Sequence, residues 1–259
     1  SQKDNKMDKD GVSGYVHSKF YDEYVEAISE FVRIPSLNPI FDQEWQVNKS
    51  LEKQCQHLVG YLEKQEIQGV KYHALVDEKR TPFLIVTIDP FNSPKNKEEC
   101  VLMYGHMDKQ PFLDGWITDP CEPVIKDGRL YGRGSSDDGY AFFTAVLSVK
   151  ACQAQNKSHP SIVITIEGSE EGMIDDLLYY LENYKGLLGK PTIVVCLDSV
   201  SFTEETLTIT SCLRGCITFD IYAQVAENNM HSGMGGGICP NVYNILNCAL
   251  ARVQDFKTQ

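Results

Sequence analysis

Apolar side chains at Phe20, Tyr24, Ala27, Ile28 and Phe31 recur at helical spacing, which predicts a helix from about Tyr15 to Arg33 that Pro35 terminates. A loop, Ser36-Leu37-Asn38-Pro39, leads to a second predicted helix, Glu44 to Gln65. The pattern then shortens into apolar runs that read as strands at Val70–Val76, Phe83–Ile88 and Cys100–Tyr104. A polar loop with Asn92, Pro94 and Asn96 separates the last two. An irregular stretch, Lys109 to Pro123, precedes a short hairpin that turns at Asp127-Gly128. Asp138 is placed to open a helix to about Gln155. Strand Ser161–Ile166, helix Ile174–Tyr184 and strand Thr192–Leu197 follow.

Alternation of strands and helices from 44 to 198 predicts an α/β fold with a mostly parallel sheet flanked by helices. Beyond it the pattern changes. Leu207–Ser211 and Cys216–Val225 read as long strands, followed by a glycine-rich turn and a helix from Asn241 to about Phe256. That is the beginning of an α+β unit, too short for an independent core. The expected organisation is a polar tail over 1–13, a catalytic-type domain over 14–205 and the start of a lid or dimerisation domain over 206–259.

Composition narrows the function classes. A net charge of -12 disfavours a nucleic-acid partner, which needs a basic face, and is compatible with divalent cations. No run approaches the roughly 18 apolar residues of a membrane helix. Nine cysteines, an odd number with no C-x-x-C pair, favour buried free thiols in a reducing compartment and hence a cytoplasmic protein. The chain begins with Ser1 rather than Met, so a targeting peptide removed by processing is compatible with that expectation.

The candidate chemistry clusters at predicted strand ends. His106 and Asp108 emerge after the run Val101–Tyr104, two apart on an extended segment and so facing the same way. Asp137 lies in the run Gly132-Arg133-Gly134-Ser135-Ser136-Asp137-Asp138-Gly139, which matches no phosphate loop. Glu170, Glu171 and Asp198 lie at the ends of two further strands. Each has an ordinary alternative: a loop histidine, a turn or helix-capping aspartate, an acidic pair at a helix start. Convergence at the carboxyl ends of successive strands is what distinguishes them, because open α/β sheets bind ligands there. Packed carboxylates repel one another unless cations compensate. Imidazole and carboxylate donors suit zinc, with manganese or cobalt compatible.

These segments, in this order and approximate spacing, resemble the co-catalytic dizinc peptidases, a family that includes carnosine dipeptidases, aminoacylases and succinyl-diaminopimelate desuccinylases. The run from Gly105 to Pro111, with Gly115-Trp116 and Asp127 to Gly134, looks most like the dipeptidase branch. Leu213-Arg214-Gly215 and His231-Ser232-Gly233 resemble the family's entry into its lid. The resemblance implies two divalent metal ions, with His106, Asp137, Glu171 and Asp198 as ligands and Asp137 bridging. It implies Asp108 as the group that orients His106 and Glu170 as the general base. It also implies His231 as an oxyanion-stabilising residue, commonly acting in a partner subunit's site. Arg214 is a weaker candidate for binding a substrate carboxylate, with a structural role as an equal alternative. The implied activity is hydrolysis of dipeptides or short peptides, including by carboxypeptidase-type cleavage.

One family feature is missing. The second metal's ligand set is completed in the family by a histidine far downstream, and this sequence has none after His231. The expectation is therefore a homodimer or a companion chain, on either of two readings: part of a longer enzyme, or a structural or regulatory subunit on the same fold. A third reading is an amidohydrolase of N-acyl amino acids, using the same metals and base.

Overall fold

The computed structural model describes residues 11–92, 99–203, 205–255 and 257–258. The chain divides into two compact units, Ser1–Thr208 and Ile209–Gln259. Most of the expected polar tail, and part of the loop holding Pro94 and Asn96, lie outside the described residues.

The first unit opens with α1 (Val12–Lys19), a π-helical turn (Phe20–Tyr24) and α2 (Val25–Arg33). The helix read from periodicity is thus present but interrupted, at the point where the Phe20 and Tyr24 rings stack with centroids 5.1 Å apart. The second predicted helix is also divided, into α3 (Trp45–Asn48) and α4 (Ser50–Lys64). Lys49 between them takes φ 59°, and the Asn48 side chain accepts a hydrogen bond from the Ser50 amide at 2.9 Å. This local turn displaces the helical bond that apolar spacing alone predicts.

Five strands form the main sheet: β1 (Val70–Asp77), β2 (Arg80–Ile88), β3 (Cys100–His106), β6 (Ser161–Glu167) and β7 (Ile193–Cys196). Between β3 and β6 come β4 (Val124–Lys126), β5 (Arg129–Tyr131) and α5 (Gly139–Ala154); α6 (Asp175–Asn183) and α7 (Lys185–Leu188) precede β7. The spatial order is β1-β2-β6-β3-β7. β3 pairs in parallel with β6 and β7, whereas β1–β2 and β2–β6 are antiparallel. The α/β class holds, and four of the five strands run in one direction, with β2 alone opposed to them. β1 and β2 are joined by a tight turn, which reverses chain direction and leaves no crossover helix between them. β4 and β5 form the expected hairpin, with Asp127 and Gly128 both at positive φ.

The sheet is covered on both faces. Alternate residues Leu84, Val86 and Ile88 of β2, with Ile162, Ile164 and Ile166 of β6, pack into one cluster with α2, α4 and α5. Phe83, Ile85 and Val163 face the other way, against Tyr180 of α6.

The second unit contains α8 (Ser232–Gly235) and α9 (Val242–Leu250), each opened by a side-chain cap, from His231 and Asn241. The two long strands expected there are not formed among the described residues. Apolar alternation specifies a strand only where a neighbour supplies the ladder, and Leu207, Ile209 and Ile217 are exposed. Of the nine cysteines, expected to be buried, only Cys55 and Cys100 are. Cys196, expected to be buried by its apolar neighbours, is exposed on the outer strand β7.

Candidate metal centre

Parallel pairing aligns the carboxyl ends of the strands that carry the chemistry. His106, the last residue of β3, stands opposite Glu167, the last of β6. The Met107 amide donates to the Glu167 carbonyl at 2.7 Å, and the Leu197 amide donates to the Tyr104 carbonyl at 2.9 Å. These two bonds carry the pairing just past the strand ends and bring the Ser169–Glu171 and Asp198 segments beside His106. The Tyr140 hydroxyl of α5 donates to the Ser199 carbonyl at 3.2 Å.

His106 is fully buried at its side chain. Its Nδ1 lies 3.0 Å from the Asp108 carbonyl oxygen and 3.4 Å from Asp108 Oδ1. A carbonyl oxygen can only accept, so Nδ1 carries a proton and Nε2 is the nitrogen that faces the site. Nε2 is 3.1 Å from Asp137 Oδ1, 4.0 Å from Glu170 Oε2 and 4.0 Å from Asp198 Oδ2.

The expected site residues in the first unit therefore come together. His106, Asp137 and Asp198 offer donor atoms within 4.8 Å of one another, and so do His106, Glu170 and Glu171. Asp108 is fully buried beneath them. Its Oδ1 accepts from the Glu170 amide at 3.1 Å, and its Oδ2 accepts from the Glu171 amide at 3.0 Å and the Asn38 side chain at 2.7 Å. The ordinary alternative for Glu170 and Glu171 does not apply, because the first turn of α6 holds Asp175 and Asp176 instead. Nor is Asp138 a side-chain cap for α5. Its Oδ2 accepts from the His106 amide at 3.1 Å, so it holds the end of β3.

The electrostatics describe a site short of positive charge. Burial raises the carboxyls of Asp198, Glu170 and Glu171, and pushes Asp138 up to about 9. Burial also opposes charge on His106, yet hydrogen bonds to Asp108 and Asp137 outweigh it and hold the imidazole up to about 12. The His106 hydrogen bond in turn lowers Asp137. Glu171 Oε1 and Asp138 Oδ1 are buried with no hydrogen-bond partner among the described residues. Unpartnered carboxylate oxygens around a histidine that keeps a proton are the donor set a divalent cation would satisfy.

Several supporting residues escaped the sequence reading. Lys109 is buried, and its Nζ donates to the carbonyls of Phe31 and Ile34, each at 2.6 Å, at the end of α2. Burial lowers its ammonium to about 7, while these acceptors favour the charged form. The Gln110 side chain donates to Glu171 Oε2, and the Tyr104 hydroxyl donates to Glu167 Oε1. Burial raises the Glu167 carboxyl to about 7. Proximity to His106-Met107-Asp108 is the one signal that pointed to Lys109 and Gln110. Nothing in its local pattern marked Asn38. His231 and Arg214 belong to the second unit, where the Gly233 amide donates to His231 Nδ1 at 3.1 Å and Arg214 is exposed.

The chain is similar to known metallodipeptidases. Over 230 residues the chain is 27% identical to the Cys-Gly metallodipeptidase dug1 of Schizosaccharomyces pombe, covering 86% of this chain and 47% of that protein. It is 29% identical over 225 residues to the Beta-Ala-His dipeptidase of Homo sapiens, covering 84% and 44%. The chain thus spans about half the length of the curated relatives it matches. Its fold is similar to that of the dipeptidase Dug1p from Saccharomyces cerevisiae, with TM-score 0.65 and 18% identity over 97% of this chain and 54% of that one. Human carnosine dipeptidase 1 gives TM-score 0.59 and 22% identity, over 93% and 51%. Residues 102–226 match the family model described as Peptidase family M20/M25/M40. That matched segment is the one that holds His106, Asp108, Asp137, Glu170, Glu171 and Asp198.

Proposed function

We propose that this chain carries the metal-binding half of a dipeptidase that hydrolyses the peptide bond of dipeptides or short peptides. The observation behind this reading is the grouping of His106 Nε2 with the carboxylates of Asp137, Glu170, Glu171 and Asp198, where Glu171 Oε1 and the adjacent Asp138 Oδ1 have no hydrogen-bond partner among the described residues.

His106, Asp137 and Asp198 would hold a first divalent ion, and Asp137 and Glu171 would contribute to a second. When bound, such ions polarise the scissile carbonyl and make water acidic enough to attack at neutral pH. Zinc suits these donors, with manganese or cobalt as substitutes. Asp108 fixes the His106 ring so that Nε2 points at the cluster.

Glu170 is the general base. Among the described residues no side-chain donor is hydrogen-bonded to its carboxylate, which reaches the cluster, and burial raises its pKa. It takes the proton of the attacking water and delivers it to the leaving amine. In the second unit, the Gly233 bond to Nδ1 leaves His231 with its proton on Nε2, a donor suited to an oxyanion. Arg214 has a side chain suited to a substrate carboxylate.

A second polypeptide, either another copy or a companion chain, fits the exposed apolar residues of β7, where Ile193 and Val194 are 56% and 65% accessible on an edge strand. No helix among the described residues is long and apolar enough to cross a membrane, and we place the protein in the cytoplasm. The test of the catalytic reading is Glu170→Gln. Loss of dipeptide hydrolysis with metal content unchanged is the expected result, and equal turnover in both proteins would remove Glu170 as the base.

A further inference from the structure

Asn38 lies far from the metal-site motifs in sequence, yet its side chain ends at their centre. It is 1% exposed, its Nδ2 donates to Asp108 Oδ2 at 2.7 Å, and its Oδ1 accepts from the Ile40 amide at 3.0 Å. Both ends of the amide are therefore used, and the donor end faces the carboxylate.

The backbone of Asn38 is held as firmly. Its N–H donates to the Lys109 carbonyl at 3.0 Å, and its carbonyl accepts from Phe41 at 2.9 Å and Asp42 at 3.1 Å. Two residues earlier, the Ser36 hydroxyl donates to the Met107 carbonyl at 2.9 Å. The Lys109 ammonium anchors the start of the same loop through the Phe31 and Ile34 carbonyls. On the opposite side is Gly172, where a Cβ would come 2.3 Å from Asn38 Oδ1. Glycine there lets the Glu170-Glu171 turn close directly over the asparagine.

Asp108 is the point where these contacts meet. Asn38 supplies the one side-chain donor among the three hydrogen bonds described for its carboxylate; the others come from the Glu170 and Glu171 amides. Its Oδ1 faces His106 Nδ1. We infer that Asn38 is a positioning residue of the metal centre: it sets the rotation of the Asp108 carboxylate, and through it both the His106 ring and the turn carrying Glu170 and Glu171. Outer partners of metal-binding histidines typically change metal affinity on the order of 10–100-fold when lost.

This inference rests on the reading of the cluster as a metal centre, and Asn38→Ala tests the two separately. Nitrogen-15 NMR of the imidazoles in the metal-free protein reports the His106 tautomer and its Nδ1 hydrogen bond without any ion present. Competition against a chromophoric chelator reports zinc affinity. The expected result is a shifted His106 signal, faster amide exchange at Glu170 and Glu171, and zinc affinity weaker by about tenfold. Asn38→Ser, with a shorter donor, is expected to fall between. If the alanine variant does not fold, the serine variant carries the test. Unchanged His106 signals and unchanged zinc affinity in either folded variant would overturn the inference. So would a loss of thermal stability with wild-type affinity in the folded fraction. Wild-type protein that binds no zinc would defeat the metal reading, while the metal-free imidazole signals would still decide the placement of Asp108.

Discussion

A histidine with Nδ1 committed to a backbone carbonyl has one nitrogen left for chemistry, and in His106 that nitrogen faces carboxylates alone. Held up to about 12, the ring keeps its proton in the metal-free protein across the physiological range. A metal must displace that proton, so binding should release protons and weaken as pH falls; calorimetry in buffers of different ionisation enthalpy measures the number released. Glu170→Gln is expected to lower turnover by about 10²–10⁴-fold, the range for losing a general base, without lowering metal content. Glu167 gives a separate, stability-based prediction. Burial raises its carboxyl to about 7 from an ordinary 4.5. The native state then binds the extra proton between those values. The stability from this group is full below the unfolded value and is lost as pH rises through about 7, a loss on the order of 3 kcal/mol. Urea unfolding of Glu167→Gln should show a flatter decline over that interval, and a slope equal to wild type would contradict the assignment.

At the level of elements, the strand ends were legible because short apolar runs precede them. The runs into His106, Glu167 and Asp198 end where β3, β6 and β7 end or just beyond. Pairing order was not legible. Nothing in the runs of β1 and β2 distinguishes antiparallel from parallel partners, and the mixed sheet depends on the tight connection between them. Local side-chain bonds were equally hidden, as the Asn48 turn that separates α3 from α4 shows. The loop from Ile34 to Asn38 reads as a plain connection, yet its contacts with Met107, Asp108 and Lys109 run across 70 to 75 residues of sequence. Lys109 is the element-scale brace. Replacing it with Met leaves the Phe31 and Ile34 carbonyls without the donor that now satisfies them, at a cost of about 1–3 kcal/mol for each buried group left unpaired. A fall of about 3 kcal/mol in chemical unfolding is expected for Lys109→Met, and stability within error of wild type would show that water replaces the ammonium.

Across the whole molecule, charge and site agree. A chain with net charge -12 gathers Asp108, Asp137, Asp138, Glu170, Glu171 and Asp198 around one imidazole, an arrangement that a divalent cation would relieve. His106, Asp137 and Asp198 make a three-donor set within the first unit, whereas on the proposed function the second ion would draw on Asp137 and Glu171 and a further donor. We therefore expect one ion held tightly and a second held weakly. Native mass spectrometry after zinc loading and exchange into metal-free buffer tests this account most directly, with wild type compared against Asp198→Asn and His106→Ala. One retained zinc per chain in wild type, with at least about tenfold weaker retention in both variants, is the predicted result; wild type that retains no zinc, or variants that retain it equally well, would contradict the account.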